Sequence, residues 1–568
     1  MFGPTDWIEL LFAAALVSLV LLRRWIEPAF RTLAPKTAWC MFLLAILPIA
    51  LRLALLSHHP IPVPEIYDEF GHLLEADTLR HFRLANPPHR LPEFFETLFV
   101  LQEPTYSSIY PVGQGLSLAF GRMLFGLAWA GVLLSTAAFC SLCYWMLRGW
   151  VSPTLALLGG LLAVIEFGPL NQWMNSYWGG SLTAAAGCLV FGSLPRLRAG
   201  WRIRDALILG LGLSIHLLTR PYESAFLLLA GLLFFVRPAP TSVRGPLVAS
   251  VTVAIPVLLA VAVILLQDQR VTGHWTTLPY QLSQYQYGVP AALTFQPNPT
   301  PHRDLTPQQQ MDYKMQSSFR GVERETPAAF LRRLEYRVRF YRFYFLVPLY
   351  VALAAFLFGI RTYRFAWVVL TPLLFALGAN FFPAFQFHYI AAIVCLFILM
   401  SVVGLQRLRA GPYLAGLCAI HFAFWYGVHL VDLPELRSFE TWNAINHMGP
   451  VRRTLVRNEL SQTPGRQLVF VRYWPGHIFQ NEWVYNEADI DRAAIVWARD
   501  LGPENEKLLR YYRDRTTWLL EPDARPPKLS PYQPEAPTPA VPTATPEAPP
   551  EKPKPKPLQP KLRFEDVK

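Results

Sequence analysis

Long apolar runs separated by short polar breaks fill residues 7–430, and from Asp432 onward the pattern becomes that of ordinary polar sequence. A run of about 20 apolar residues crosses roughly 30 Å of hydrocarbon. Several runs reach that length, and others, such as 205–218, fall short alone. Beyond the apolar part, residues 468–473, 482–485, 495–497 and 516–520 have the composition of strands, and 504–512 that of a helix. The pattern predicts an all-α polytopic membrane bundle of about twelve transmembrane helices. It places this bundle at 1–431, a small extracytoplasmic α/β domain at 432–521, and a Pro-rich tail at 522–568 that stays extended and disordered.

Composition agrees with the pattern. Hydrophobic residues make up 53% of the 568 and charged ones 16%, against about 25% charge in a soluble domain. The first run, 7–22, carries its basic residues (Arg23, Arg24) after it rather than before it. That polarity is opposite to a cleaved signal, so a retained helix is expected. All six cysteines lie in or beside apolar runs, which argues against a disulfide framework or a cysteine zinc site.

The net charge of +12 is taken up by topology, which removes the case for nucleic acid as a partner. Lys and Arg gather at 23–36, at Arg148, and at 196–204, 237–244, 361–364 and 407–409, as the positive-inside rule requires of cytoplasmic loops. Outside then fall 58–103, 166–178, 219–223, 267–342, 383–388 and everything after 430, with both termini outside. Segment 109–125 is helical in pattern but rich in Gly and Ser, and fits this scheme as a helix lying against or partly entering the outer leaflet. Two outer loops, 58–103 and 267–342, far exceed the about 2–8 residues of a helix connection. Ordered structure capping the bundle is expected there.

The first of these loops carries Glu65-Ile-Tyr-Asp-Glu-Phe-Gly-His72, then Glu75 and Asp77. Asp68, His72 and Glu75 fall at i, i+4 and i+7, one face of a helix. An interfacial amphipathic helix would turn that face to water, but such helices favour Lys and Arg beside headgroups. Acidic residues here suit general-base work or metal coordination.

Tyr67-Asp68-Glu69, in the first outer loop after a spanning helix, resembles the signature loop of GT-C glycosyltransferases. These include protein O-mannosyltransferases and lipid-A aminoarabinose transferases. The resemblance continues in Tyr110-Pro111-Val-Gly-Gln-Gly115 and Leu124-Phe125-Gly126, and in Asn175-Ser-Tyr-Trp-Gly-Gly180, Thr219-Arg-Pro-Tyr-Glu223 and His388-Tyr389 at outer helix ends. The family's His-Pro-Pro before the second motif is replaced by Thr105-Tyr-Ser-Ser-Ile109. The likeness covers the membrane part in layout and only short motifs in sequence.

This resemblance implies inverting transfer of a sugar from a polyprenyl-phosphate donor to a glycan, lipid or protein acceptor on the outer face of a plasma (inner) membrane. Asp68 matches the family's loop aspartate and is expected to be the base, with Glu69 orienting the acceptor. Arg220 and His388 are the expected phosphate contacts, and Tyr389, Tyr110 and Asn175 the other substrate contacts. No cofactor is implied with certainty; a divalent cation, if used, would fall to Asp68, Glu69 and His72.

Two other functions compete. A transporter or lipid flippase would need ionisable residues in mid-span, and almost none is present. A non-catalytic scaffold would leave the carboxylates of the first loop without a purpose.

Overall fold

The computed structural model describes residues 4–236, 244–319, 325–437, 439–440 and 451–534. The basic segment at 237–243 and the tail from 535 onward, both singled out by the sequence pattern, lie outside these residues.

The apolar runs form a helical bundle. Among the described residues, Thr37–Ala54, Ala128–Leu147, Gly245–Thr272, Phe387–Arg407 and Gly411–Val431 are long and apolar enough to cross a membrane. A sixth span results if Pro327–Tyr344 and Leu349–Phe358, bent by 118°, are taken together. Pro153–Phe167, Pro221–Phe234 and Tyr363–Ala379 are apolar but shorter. Ser181–Gly200 and Ile203–Thr219 complete the bundle beside them. Phe387–Arg407 is its axis, with 94% of its most apolar window buried, whereas Gly245–Thr272 shows most of its surface, at 17%. Its bare Leu247, Ile255, Leu258 and Leu259 suit lipid and not water. The chain is an integral membrane protein.

Lipid gives helices no hydrophobic reason to associate, so close backbone packing must supply the energy. Small residues provide it here. A Cβ on Gly187 would lie 1.8 Å from the Ala392 carbonyl oxygen, and one on Gly404 would lie 1.9 Å from that of Ala352. The helices around the axial span therefore touch it backbone to backbone.

At one end of the bundle the two long loops and the C-terminal domain pack together. Loop 58–103 contributes the Tyr67–Arg80 helix and a strand, β1 (Val100–Leu101), paired with β2 (Ser107–Ser108). Loop 267–342 contributes the helices Pro279–Tyr287, Pro307–Ser318 and Pro327–Phe340. They are tied across by Gln309 donating to Glu96 (3.0 Å) and by the Arg303–Glu96 ion pair (2.8 Å). Segment 109–125 forms the Val112–Phe125 helix, buried along Val112, Gly115 and Leu118 and bare along Leu116, Phe120 and Leu124.

The C-terminal domain is a four-stranded sheet in the order β4-β3-β5-β6. Here β3 is Arg466–Val471, β4 Ile495–Arg499, β5 Arg515–Glu521 and β6 Lys528–Pro531. The strand β3 is parallel to β4 and β5, and β6 is antiparallel to β5. The helices Val451–Gln462 and Asn505–Tyr511 accompany the sheet. Two expectations change. The strand read at 482–485 is absent, because side chains take the backbone groups a ladder would need. The Glu482 carboxylate accepts from the N–H groups of Trp483 (3.1 Å) and Val484 (3.2 Å), and Arg453 donates to the carbonyls of Glu482 and Trp483. The sheet also runs on through β6, so the folded domain passes the boundary read at 521.

Leu74, Phe94, Phe95 and Tyr106 of the first loop share one hydrophobic cluster with Leu468, Phe470, Ile490 and Val496 of this domain. Replacing Gly187 by Val should force the helices off the axial span. We expect a loss of about 3 kcal/mol, read as a lowered melting temperature of the detergent-solubilised protein.

Candidate active site

The Tyr67–Arg80 helix starts where Glu69, its third residue, reaches back to accept from the N–H groups of Glu65 (2.8 Å) and Ile66 (3.4 Å). Its other oxygen accepts from the N–H of Tyr177 (2.9 Å), across to the Asn175–Gly180 segment. That segment turns sharply into the next helix on Gly179 and Gly180, at φ 93° and 118°, backbone angles costly for residues with a Cβ. Burial pushes the Glu69 carboxyl up to about 7.

The i, i+4, i+7 face turns inward, with His72 and Glu75 buried and Asp68 half-buried. Asp68 accepts a short hydrogen bond from the Tyr110 hydroxyl. The His72 ring lies 4.2 Å from the Tyr110 ring. Glu75 is buried against the Val112–Phe125 helix and receives Gln267 at 3.5 Å. Gly71 makes this approach feasible, since a Cβ there would stand 2.7 Å from the Tyr110 ring. Burial raises Asp68 to about 6, opposed by the Tyr110 hydrogen bond and the Arg220 charge. Glu75 rises to about 8 and His72 falls to about 3, both mainly through burial.

Arg220 joins the Ile203–Thr219 and Pro221–Phe234 helices. It pairs with Glu223, and its guanidinium lies 4.1 Å from the centre of the Tyr389 ring. Asp68, His72, His388 and Tyr389 all stand within electrostatic reach of this guanidinium. His388 packs between Tyr389 (4.9 Å) and Trp178 (5.5 Å). Three buried polar atoms of this group, Arg220 Nε, His72 Nδ1 and His388 Nδ1, have no protein partner.

The structure thus brings Asp68, Tyr110, Arg220, His388 and Tyr389 together. Asn175 is taken up otherwise: it accepts from Arg52 Nε (2.6 Å) and donates to the carbonyls of Pro169 and Asn171. Its segment reaches the site through Trp178 instead. Glu69 is committed to backbone N–H groups. Among the described residues, no three His, Cys, Asp or Glu side chains gather as a metal-ligand set; Asp68, Glu69 and His72 face different partners.

Three site residues were assigned no role from the sequence. Glu223, the last residue of the Thr219-Arg-Pro-Tyr-Glu223 motif, holds Arg220. Tyr280 and Asp312 arrive from the second long loop and interact electrostatically with Arg220 and Asp68 respectively. Asp312 is fully buried and accepts from Gln316 (3.0 Å), and burial raises it to about 7. The loop's length was the only signal for these last two.

No family model matches the chain, and no curated protein matches its sequence. Among solved structures it is similar to ArnT from Cupriavidus metallidurans in the apo state, at 11% identity, a TM-score of 0.50, and coverage of 86% of this chain and 93% of that one. It also overlaps the oligosaccharyltransferase AglB from Archaeoglobus fulgidus in complex with an inhibitory peptide and a dolichol-phosphate. There the identity is 12%, the TM-score 0.38, and the coverage 86% of this chain and 69% of that one. The fold is that of the GT-C-type membrane glycosyltransferases.

Replacing Glu69 by Ala strips an acceptor from three backbone N–H groups. We expect about 1–3 kcal/mol lower stability and partial loss of function together, measured by melting temperature. Gly71→Ala should push the Tyr110 ring away from Asp68, with a loss of about 1–3 kcal/mol read as a lowered melting temperature and a raised sensitivity of the site to acid.

Proposed function

We propose that this protein transfers a sugar from a polyprenyl-phosphate donor to an acceptor hydroxyl or amine at the outer membrane face, with inversion at the anomeric carbon. The observation that carries this reading is the convergence of Asp68, which accepts from Tyr110, on the Arg220 guanidinium, itself paired with Glu223 and set against the Tyr389 ring, with His72 and His388 in electrostatic reach. The GT-C fold and the resemblance of the Tyr67-Asp68-Glu69 loop supply the reaction class.

The chemistry follows from the arrangement. The acceptor oxygen or nitrogen attacks the anomeric carbon as the bond from that carbon to the phosphate oxygen breaks. The acceptor proton passes to Asp68, and polyprenyl phosphate leaves with the bonding electrons. Tyr110, hydrogen-bonded to Asp68, orients the carboxylate and moderates its basicity. Arg220 offers its free Nε–H and its charge to the departing phosphate. Glu223 and Tyr389 hold the guanidinium in place for this. The lipid tail stays in the bilayer while its headgroup reaches the loop-bearing end of the bundle.

A base must be ionised to work. Because Asp68 is raised to about 6, transfer should be full above that value and fall about tenfold per pH unit below it. Asp68→Asn should reduce transfer by roughly 10²- to 10⁴-fold while membrane insertion and melting temperature stay at wild-type values. Sugar transfer that persists in reconstituted Asp68→Asn protein would remove the assignment. Uptake of a labelled solute without glycosylation would favour a transporter.

A further inference from the structure

A second site lies between the first loop and the C-terminal domain. There a cavity of about 480 Å³ is walled by Pro64 and Glu65 on one side and by Trp474, His477, Asn481 and Asp523 on the other. Its volume is in the range of small-molecule sites. The far wall is built rather than accidental. Asp523 accepts from the Trp474 backbone N–H with one oxygen (3.1 Å) and bonds His477 Nδ1 with the other (2.8 Å). The His477 ring stacks 4.1 Å from Tyr473. The Trp474 indole beside it is 60% exposed. His477 is 4% exposed, and its Nε2 has no partner.

We propose that this cavity binds a saccharide unit of the acceptor, an inference that rests on the transferase reading. The lining decides the ligand class. Glu65 brings a carboxyl to the lining beside the basic rim of Arg452 and Arg525, Asp523 being already engaged by Trp474 and His477, so a plain anion would meet an acceptor as well as cations. A sugar ring instead has hydroxyls that both donate and accept, and its C–H face packs against an aromatic plane such as Trp474. Arg453 is not free for a ligand. It is spent on the carbonyls of Glu482 and Trp483 and on the Phe70 ring, at 4.3 Å. Glu65 connects the two sites: its backbone N–H is bound by Glu69, one residue from Asp68.

The test uses full-length protein in lipid nanodiscs, titrated by calorimetry and saturation-transfer NMR with cellobiose, lactose, N,N′-diacetylchitobiose and inorganic phosphate. We expect at least one disaccharide to bind. Trp474→Ala should weaken that binding roughly tenfold, Trp474→Phe should retain most of it, and Asp68→Asn should bind as wild type does. The proposal is overturned if no disaccharide binds, if Trp474→Ala leaves binding unchanged, or if phosphate binds at this cavity in its place. Disaccharide binding by a protein that never transfers sugar would defeat the transferase reading while leaving the site. Transfer without binding would do the reverse.

Discussion

The buried carboxylate of Glu69 is the contact on which the loop-bearing end of this protein depends. One oxygen closes the first turn of the Tyr67–Arg80 helix, and the other reaches Tyr177 in a different loop. A charged acceptor on backbone N–H groups is a strong form of hydrogen bond. Losing it would leave donors unpaired in a site with little water to replace it. Asp68 is the next residue back along the chain, so its position follows from this anchor. Residues adjacent in sequence thus divide the labour, one fixing the backbone and one meeting Tyr110 beside Arg220.

Much of this was legible in the sequence, for physical reasons that can be named. Apolar runs must become helices in lipid, because no other structure satisfies every backbone group there without closing into a barrel. The acidic face of the first loop was legible as an anomaly, since carboxylates beside a membrane need a partner. Which partner was not legible. The Tyr110 hydroxyl lies 42 positions from Asp68, and nothing local encodes that meeting. Tyr280 and Asp312 were hidden for the same reason. The strand read at 482–485 failed because side-chain to backbone hydrogen bonds, which alternation does not reveal, outcompeted the ladder. Asn175 was expected to contact substrate through the resemblance of its motif; here its side chain is engaged by Arg52 and by the carbonyls of Pro169 and Asn171.

The C-terminal domain is more than an appendage. Phe70 stacks on Tyr485 at 4.3 Å, and Asp77 receives the N–H of Ala488 at 2.7 Å. The same short helix that carries Asp68 on one face is therefore held by the C-terminal domain on another. The bundle supplies Arg220 and His388, the second loop supplies Tyr280, and the C-terminal domain keeps the helix from tilting away.

The bond from Asp77 to Ala488 spans 411 residues. During synthesis, the helices of the bundle enter the membrane in order, and the first loop emerges long before the chain that clamps it exists. Local contacts form early and distant ones late, since closing a longer loop costs more entropy. The finished site is thus among the last things this protein makes. A chain that stops after the final span would carry the Tyr67–Arg80 helix without the Asp77–Ala488 and Phe70–Tyr485 contacts that hold it.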